Sequence, residues 1–409
     1  MNFKKFLAAT ALAFAMPCFV NAQEAEQAPK EEGWIFSEEV KIPITSIKDQ
    51  NAAGTCWCYS SLAFVEAELL RMNNKEYDFS EMFLVWNTYM DRAQATVRTH
   101  GDISFSQGGS FYDVLYGIKH YGLVPDSELP AGVTHGETLS DFSEFSRVCD
   151  PFVEGIVKGR KLQTDAEGNP LWRKAMAGIL DAYIGERPET FVYEGVEYTP
   201  MSFAESTGFN PDDYVNLASF SHHPFYEKFV IEVQDNWRWG TAYNLPIDEF
   251  MEVMNYAIDN GYTIAWGSDV SEKGWLRGDN AGIAVLPDLD AKSNNDAGTD
   301  MARWIGLSAS DRAKEGYSKP TPQRWVSQED RQIAYDNYET GDDHGMLIYG
   351  KAKDQIGNNY FIVKNSWGDY GKFEGSLYAS EAFVRYKTMN IIVHKDALPK
   401  NIKKALGIK

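Results

Sequence analysis

The chain has 409 residues, 44% of them hydrophobic and 14% aromatic, enough apolar material for a large core and too much for a disordered chain. Its 39 basic residues face 59 acidic ones, a formal charge of -20, which excludes binding to nucleic acid or anionic membranes through bulk electrostatics.

The first 22 residues read as a secretory signal. Lys4 and Lys5 open it, Phe6 to Met16 is an apolar stretch too short to span a membrane, and Val20-Asn21-Ala22 offers a small-residue cleavage site. Export to the periplasm or the medium is the expectation, and removal of the two lysines takes the charge from -20 to -22. Ala15-Met16-Pro17 before Cys18 matches a lipid-attachment box poorly, which disfavours a lipid anchor. Cys56, Cys58 and Cys149 survive cleavage, an odd number that leaves at least one thiol unpaired within the chain. A thiol kept free in an oxidising compartment calls for a reason, and catalysis is one.

Residues 23–33 are acidic and poor in apolar side chains, a flexible mature N-terminus. Order is expected from Trp34, with an edge strand over 40–47 limited by Pro43. The turn-rich stretch 49–55 leads into helical periodicity from Cys56 to Met72, with Leu62, Val65, Leu69 and Met72 on one face and Asn73-Asn74 as the stop. Cys56 therefore stands where a loop opens into a helix, the placement that lowers a thiol pKa. Cys58 lies about 200° further round the helix and reads as a buried small hydrophobe. Asp248 to Asn260 reads as a helix, with Asp248 as cap and Gly261 past its end. The segments 150–200 and 285–325 carry many Gly, Asp and Ser residues and are expected to include long surface loops. Strand-like runs follow at 346–349, 360–364, 377–378 and 389–393, with turns at 350–358 and 368–375. Helices first and strands later imply an α+β architecture of two packed subdomains.

A thiolate nucleophile needs a base that later returns the proton, and histidine serves both steps near neutral pH. His344 precedes a strand and Asn365 ends the next one, so adjacent antiparallel strands would bring them together. An asparagine oxygen would then orient the imidazole, with Trp367 shielding the bond.

Asp49-Gln50, followed after five residues by Cys56-Trp57 with Gly54 two before the cysteine, resembles the active-site segment of papain-superfamily cysteine peptidases. His344-Gly345 and the run from Tyr360 to Gly368, with its Asn365-Ser366-Trp367-Gly368, resemble that superfamily's histidine and asparagine segments. The resemblance implies a papain-like α+β fold, hydrolysis of peptide bonds through an acyl-enzyme, peptide substrates and no cofactor. It casts Cys56 as nucleophile, His344 as base, Asn365 as its support and Gln50 as oxyanion donor beside the Cys56 N–H, each donor contributing roughly 3 kcal/mol. Gly108-Gly109 would let an extended substrate lie against the cleft wall, with Trp57 and Trp367 in structural support. His344 follows Cys56 by 288 residues, against about 130 to 150 in papain-like enzymes. The spacing, with Trp266 to Val270 and Asp342-Asp343-His344-Gly345, is similar to the bleomycin hydrolase and aminopeptidase C branch, which carries extra helical material between its halves. The peptidase unit is expected over 34–396, with inserted material roughly within 125–330 and a tail at 397–409. Intracellular members of that branch form hexameric rings and lay a C-terminal tail in the cleft, which restricts them to N-terminal residues.

Other readings fit less well. A silent peptide-binding relative would have lost the nucleophile or the base. A metal-dependent hydrolase would draw on His222, His223 and Asp342 or Asp343, but adjacent histidines on a strand point apart and no His-Glu-x-x-His is present. A glycan binder would show repeated spacing among its 11 tryptophans, and there is none.

Overall fold

A computed structural model describes residues 33–289 and 307–409. The signal segment 1–22, most of the flexible 23–33 and part of the 285–325 loop lie outside the described residues.

The chain first lays an edge strand, β1 (Phe36–Lys41), which begins before the expected 40–47 and overlaps it only at 40–41; it stops short of Pro43, which cannot donate to a ladder. Three helices follow: α1 (Cys56–Asn73), α2 (Glu81–Arg98) and α3 (Phe111–Tyr121). Asn74 ends α1 in the left-handed conformation, Ser80 caps α2 by accepting the Phe83 N–H, and Ser110 forms a capping box with Asp113 at α3.

Within 125–330, α4 (Ser143–Gly159), α5 (Leu171–Tyr183), the hairpin β2 (Phe191–Tyr193) and β3 (Val196–Tyr198), and α6 (Pro200–Thr207) extend the helical side. Helices α4 and α5 thus take up about half of 150–200, and loops remain at 160–170 and 184–190. Phe145, Cys149 and Val153 recur at four-residue steps on α4, and together with Trp172, Met176 and Leu180 of α5 they are buried. That periodicity outweighs the polar composition.

The same stretch also feeds the sheet with β4 (Tyr214–Ala218), β5 (Lys228–Val230), β6 (Thr241–Asn244), β7 (Ile264–Ser268) and β8 (Ile283–Ala284). Between them lies α7 (Ile247–Asp259). Pro246, not Asp248, stands at its N-cap; Asp248 sits in the first turn and pairs with Arg385 instead. After α8 (Ala309–Gly316) and α9 (Gln328–Asp336) come β9 (His344–Asp354), β10 (Asn359–Lys364), β11 (Ser376–Ser380), α10 (Glu381–Lys387), β12 (Thr388–His394) and α11 (Lys400–Ala405). β9 runs through 350–354, where turn was expected, because that end pairs with β1.

Among the described residues the main sheet has the order β5-β6-β4-β12-β7-β9-β10-β11-β8, with β1 on β9. One core packs α7, α10 and the C-terminal residues Ile402 and Leu406 on this sheet, and a second fills the helical side from Ala53 to Phe209. A seam of Ala63, Phe64, Ala67, Phe111, Ala265, Leu347 and Ile392 joins α1 to the sheet. Helical and sheet layers around these cores give the α+β, papain-like architecture.

Lys48 ties the loop before Cys56 to the helical layer. Its ammonium lies 2.6 Å from Asp78, 2.9 Å from Glu81 and 3.7 Å from Glu66, and also donates to the Phe79 carbonyl. Glu66 and Glu81 are almost wholly buried, on α1 and α2 respectively. Burial drives both carboxyls upward, Glu81 to about 7, and Lys48 opposes it. Lys48→Met strands two buried carboxylates and is expected to cost about 3 kcal/mol or more of stability, read from urea denaturation.

Candidate active site

Cys56 is the first residue of α1. The N–H groups of an opening helical turn have no intrahelical acceptor and place partial positive charge there, which favours a thiolate. The sulfur accepts the backbone N–H groups of Gly345 and Trp57. Burial pushes the thiol up to about 11, the two N–H bonds oppose this, and the carboxylates of Asp342 and Asp235 add to it.

His344 begins β9, beside the glycine that donates to Cys56, and pairs in register with Ser268 on β7. Its Nε2 donates to Asn365 Oδ1 at 2.7 Å, and that oxygen also takes the Ser366 N–H at 2.8 Å. With Nε2 engaged, Nδ1 is the ring nitrogen left for a proton from Cys56. Trp367 stacks on the imidazole, centroids 4.7 Å apart. Burial holds the imidazole at about 4, against the pull of the Asn365 bond. A low dielectric thus disfavours charge on thiol or imidazole alone. Charges formed on both at once attract each other, so the proton between them belongs to the pair.

Gln50 is buried beside these loops. Its Oε1 accepts from the Ser366 hydroxyl at 2.6 Å, and one Nε2 hydrogen goes to the Ala53 carbonyl at 2.8 Å. An amide nitrogen carries two hydrogens, so a second remains for another acceptor.

Cys56, Trp57, Gly108, Gly109 and His344 line one cleft of about 170 Å³, whereas Gln50, Asn365 and Trp367 support it from behind. At the paired glycines the structure adds a reason for the missing side chains. A Cβ on Gly109 would lie 2.8 Å from the Trp57 ring, and one on Gly108 would lie 2.0 Å from Asp235. Trp57 is fixed in turn by its Nε1 donating to the Gln107 carbonyl at 3.0 Å.

The same cleft holds three carboxylates, Asp235, Asp342 and Asp343, and none of its lining residues is Lys or Arg. Sequence reasoning missed Asp235 altogether, because no motif marks it and 179 residues separate it from Cys56. Asp342 and Asp343 entered as part of the branch-like run ending in His344-Gly345, and as metal ligands beside His222 and His223, an arrangement the structure does not form. The two histidines lie in a turn and not on a strand, so they point together and not apart. Both Nε2 atoms meet Glu232, at 3.2 and 2.6 Å. They form a clasp separate from the residues that line the cleft. None of residues 397–409 lines it either; Ile402 and Leu406 are buried in the sheet core.

Known proteins give the arrangement a context. The family described as papain family cysteine protease matches residues 33–126, which hold Gln50, Cys56 and the paired glycines. The Peptidase C1-like family matches residues 325–408, which hold His344 and Asn365. Over 91% of its length the chain is 22% identical to Aminopeptidase G of Lactobacillus delbrueckii subsp. lactis, covering 86% of that protein. It is 24% identical to Aminopeptidase C of Lactobacillus helveticus, again over 91% of this chain and 84% of that one. The crystal structure of PepW from Lactobacillus rhamnosis HN001 superposes with a TM-score of 0.65 at 18% identity, covering 91% of this chain and 84% of that one, a likeness of fold.

Asp342 carries a measurable cost. Burial, then Asp235 and Asp343, push its carboxyl up to about 7. The folded chain therefore holds a proton there that the unfolded chain releases between the usual carboxylate range and about pH 7, and stability falls as pH rises through that window. Asp342→Asn is expected to raise stability by on the order of 2 kcal/mol at pH 7.5. The gain should vanish near pH 4 in thermal melts of the two proteins at both pH values.

Proposed function

The chain belongs to the papain superfamily of cysteine peptidases, and from that premise we propose that it is an exported, aminopeptidase-like enzyme working through Cys56, His344 and Asn365. The observation that carries the reading is the contact of two distant segments. The Gly345 N–H donates to the Cys56 sulfur, while the neighbouring His344 is held by Asn365.

Cys56 gives its proton to His344 Nδ1 and its sulfur attacks the scissile carbonyl carbon. The carbonyl π pair moves onto oxygen, which the Cys56 N–H and the second Gln50 Nε2 hydrogen receive. As that oxygen returns its pair, the C–N bond breaks and His344 Nδ1–H protonates the leaving amine. The remaining thioester is opened by water, whose proton passes to His344 and then to the departing Cys56 sulfur. Asn365 and the stacked Trp367 keep the ring turned for both transfers.

Aminopeptidase action is supported by relatives bearing that name along nearly the whole chain. Endopeptidase or dipeptidyl-type cleavage by the same residues is the second reading, favoured by the placement of the C-terminal residues on the sheet core and not in the cleft. Export is supported by the Lys4-Lys5 start and the apolar run before Ala22. Sequencing of the cell-derived protein is expected to find Gln23 at its N-terminus, and an N-terminus at Met1 would sink that part.

An epoxide inhibitor of thiol peptidases is expected to add once, on Cys56, and to stop cleavage of a mixed peptide library. Products shortened one residue at a time from the N-terminus support the aminopeptidase reading; internal fragments or released dipeptides replace it with the second. Cys56→Ser should lose at least 1000-fold in kcat/KM and Asn365→Ala about 100-fold, since a free imidazole loses orientation. Full activity in Cys56→Ser would overturn the mechanism.

A further inference from the structure

Asp235 reaches the cleft from a loop that nothing in the catalytic motifs predicts. The loop is stapled by Asn236, whose side chain bonds the Ile231 carbonyl and both the N–H and the carbonyl of Gly240. Asp235 Oδ1 takes Arg92 Nη1 at 3.2 Å, and the same nitrogen donates to the Gly108 carbonyl. Arg92 is fully buried, so one guanidinium fixes the wall glycine and the carboxylate against each other. Oδ2 lies over Gly108, where any side chain would strike it.

The charge around it is unbalanced. Arg92 offsets Asp235, and Asp343 is occupied by the Val270 and Ser271 N–H groups. Asp342 makes no hydrogen bond or ion pair among the described residues, and Asp235 is the strongest charged influence upon it. The cleft is lined by these three carboxylates and by no Lys or Arg. The partner such a site lacks is a cation small enough to enter beside Cys56.

We propose that Asp235, with Asp342 in the same cleft, binds the free α-ammonium of a peptide substrate and closes the acyl side of the cleft to longer chains. The inference rests on the peptidase reading above and names its substrate class: peptides with an unblocked, protonated N-terminus. The ammonium does more than anchor. Asp342 and Asp235 both push the Cys56 thiol up, so a positive charge set between them relieves that influence as the scissile carbonyl reaches the sulfur. Substrates with a free amine thus meet a readier nucleophile than blocked ones do.

The test compares kcat/KM for three fluorogenic amides on the full mature chain, normalised to sites titrated by the epoxide: free alanyl, N-acetylalanyl and N-acetyllysyl. The wild type is expected to prefer the free alanyl amide over N-acetylalanyl at least tenfold, and Asp235→Asn to cut that ratio at least tenfold. A ratio unchanged in Asp235→Asn, with both rates falling together, marks a structural role and overturns the proposal. N-acetyllysyl turned over as well as free alanyl overturns it too, since the cleft then reads a side-chain cation. Should Asp235→Asn not fold, the wild type decides with a propionyl amide, which has alanyl's shape without its amine: equal turnover of the two overturns the proposal, and a tenfold loss upholds it. Absence of both a Cys56 adduct and any turnover in the wild type is a different failure, that of the peptidase reading, and this inference falls with it.

Discussion

The site depends on how closely α1 can approach β9. At Gly345 the strand passes so near the helix that a Cβ would stand 2.5 Å from Ser60 Oγ and 3.5 Å from the Cys56 carbonyl oxygen. Without a side chain there, the Gly345 N–H reaches the Cys56 sulfur and His344 is carried to the mouth of the same helix. The seam below, small on the helix at Ala63 and Ala67 and apolar on the sheet at Ala265 and Leu347, holds that approach along several turns. A larger residue at 345 would push the helix off the strand and separate Cys56 from His344.

A second zipper sets the supporting groups. The Gln50 N–H donates to the Ser366 carbonyl, the Gly368 N–H donates to the Lys48 carbonyl, and the Ser366 hydroxyl donates to the Gln50 side chain. The loop before the nucleophile and the loop after Asn365 are thus one unit. Lys48 anchors it to Glu66 and Glu81, while Lys364, at the end of β10, reaches Thr45. Buried ion pairs are costly to assemble and contribute little net stability against an apolar replacement. Their value here is register: breaking one displaces the loop that carries Gln50.

The sequence made these segments readable because their chemistry is local. A cysteine at a helix start, a histidine before a strand and the Asn365-to-Gly368 run can each be read within a few residues. The periodicity of α1 and of β10 to β12 was equally plain, since buried apolar positions repeat at the period of the element. What stayed hidden was long-range. Asp235 has significance only because Gly108 lies beneath it. His222 and His223 converge because a turn, not a strand, carries them. The polar end of β9 is a strand because β1 lies alongside, a pairing that brings together residues more than 300 apart. Composition also misled at 150–200, where polar residues coat helices whose buried stripe is only one residue in four.

The electrostatics of the cleft run against the nucleophile. A thiol at a helix start ought to ionise readily, yet Asp342 and Asp235 stand close enough to oppose it, and burial opposes it further. Nor does the fold gain from Asp342, whose carboxyl is driven up to about 7 by the same surroundings. In the proposed reading, a charge that arrives with the substrate accounts for carboxylates that oppose ionisation of Cys56. Binding energy from the ammonium is then realised where it helps the reacting centre, not only in holding the peptide. Burial holds the Cys56 thiol and the His344 imidazole each toward its neutral form, and in the proposed reaction the substrate's own terminus completes the electrostatic environment in which the thiolate forms.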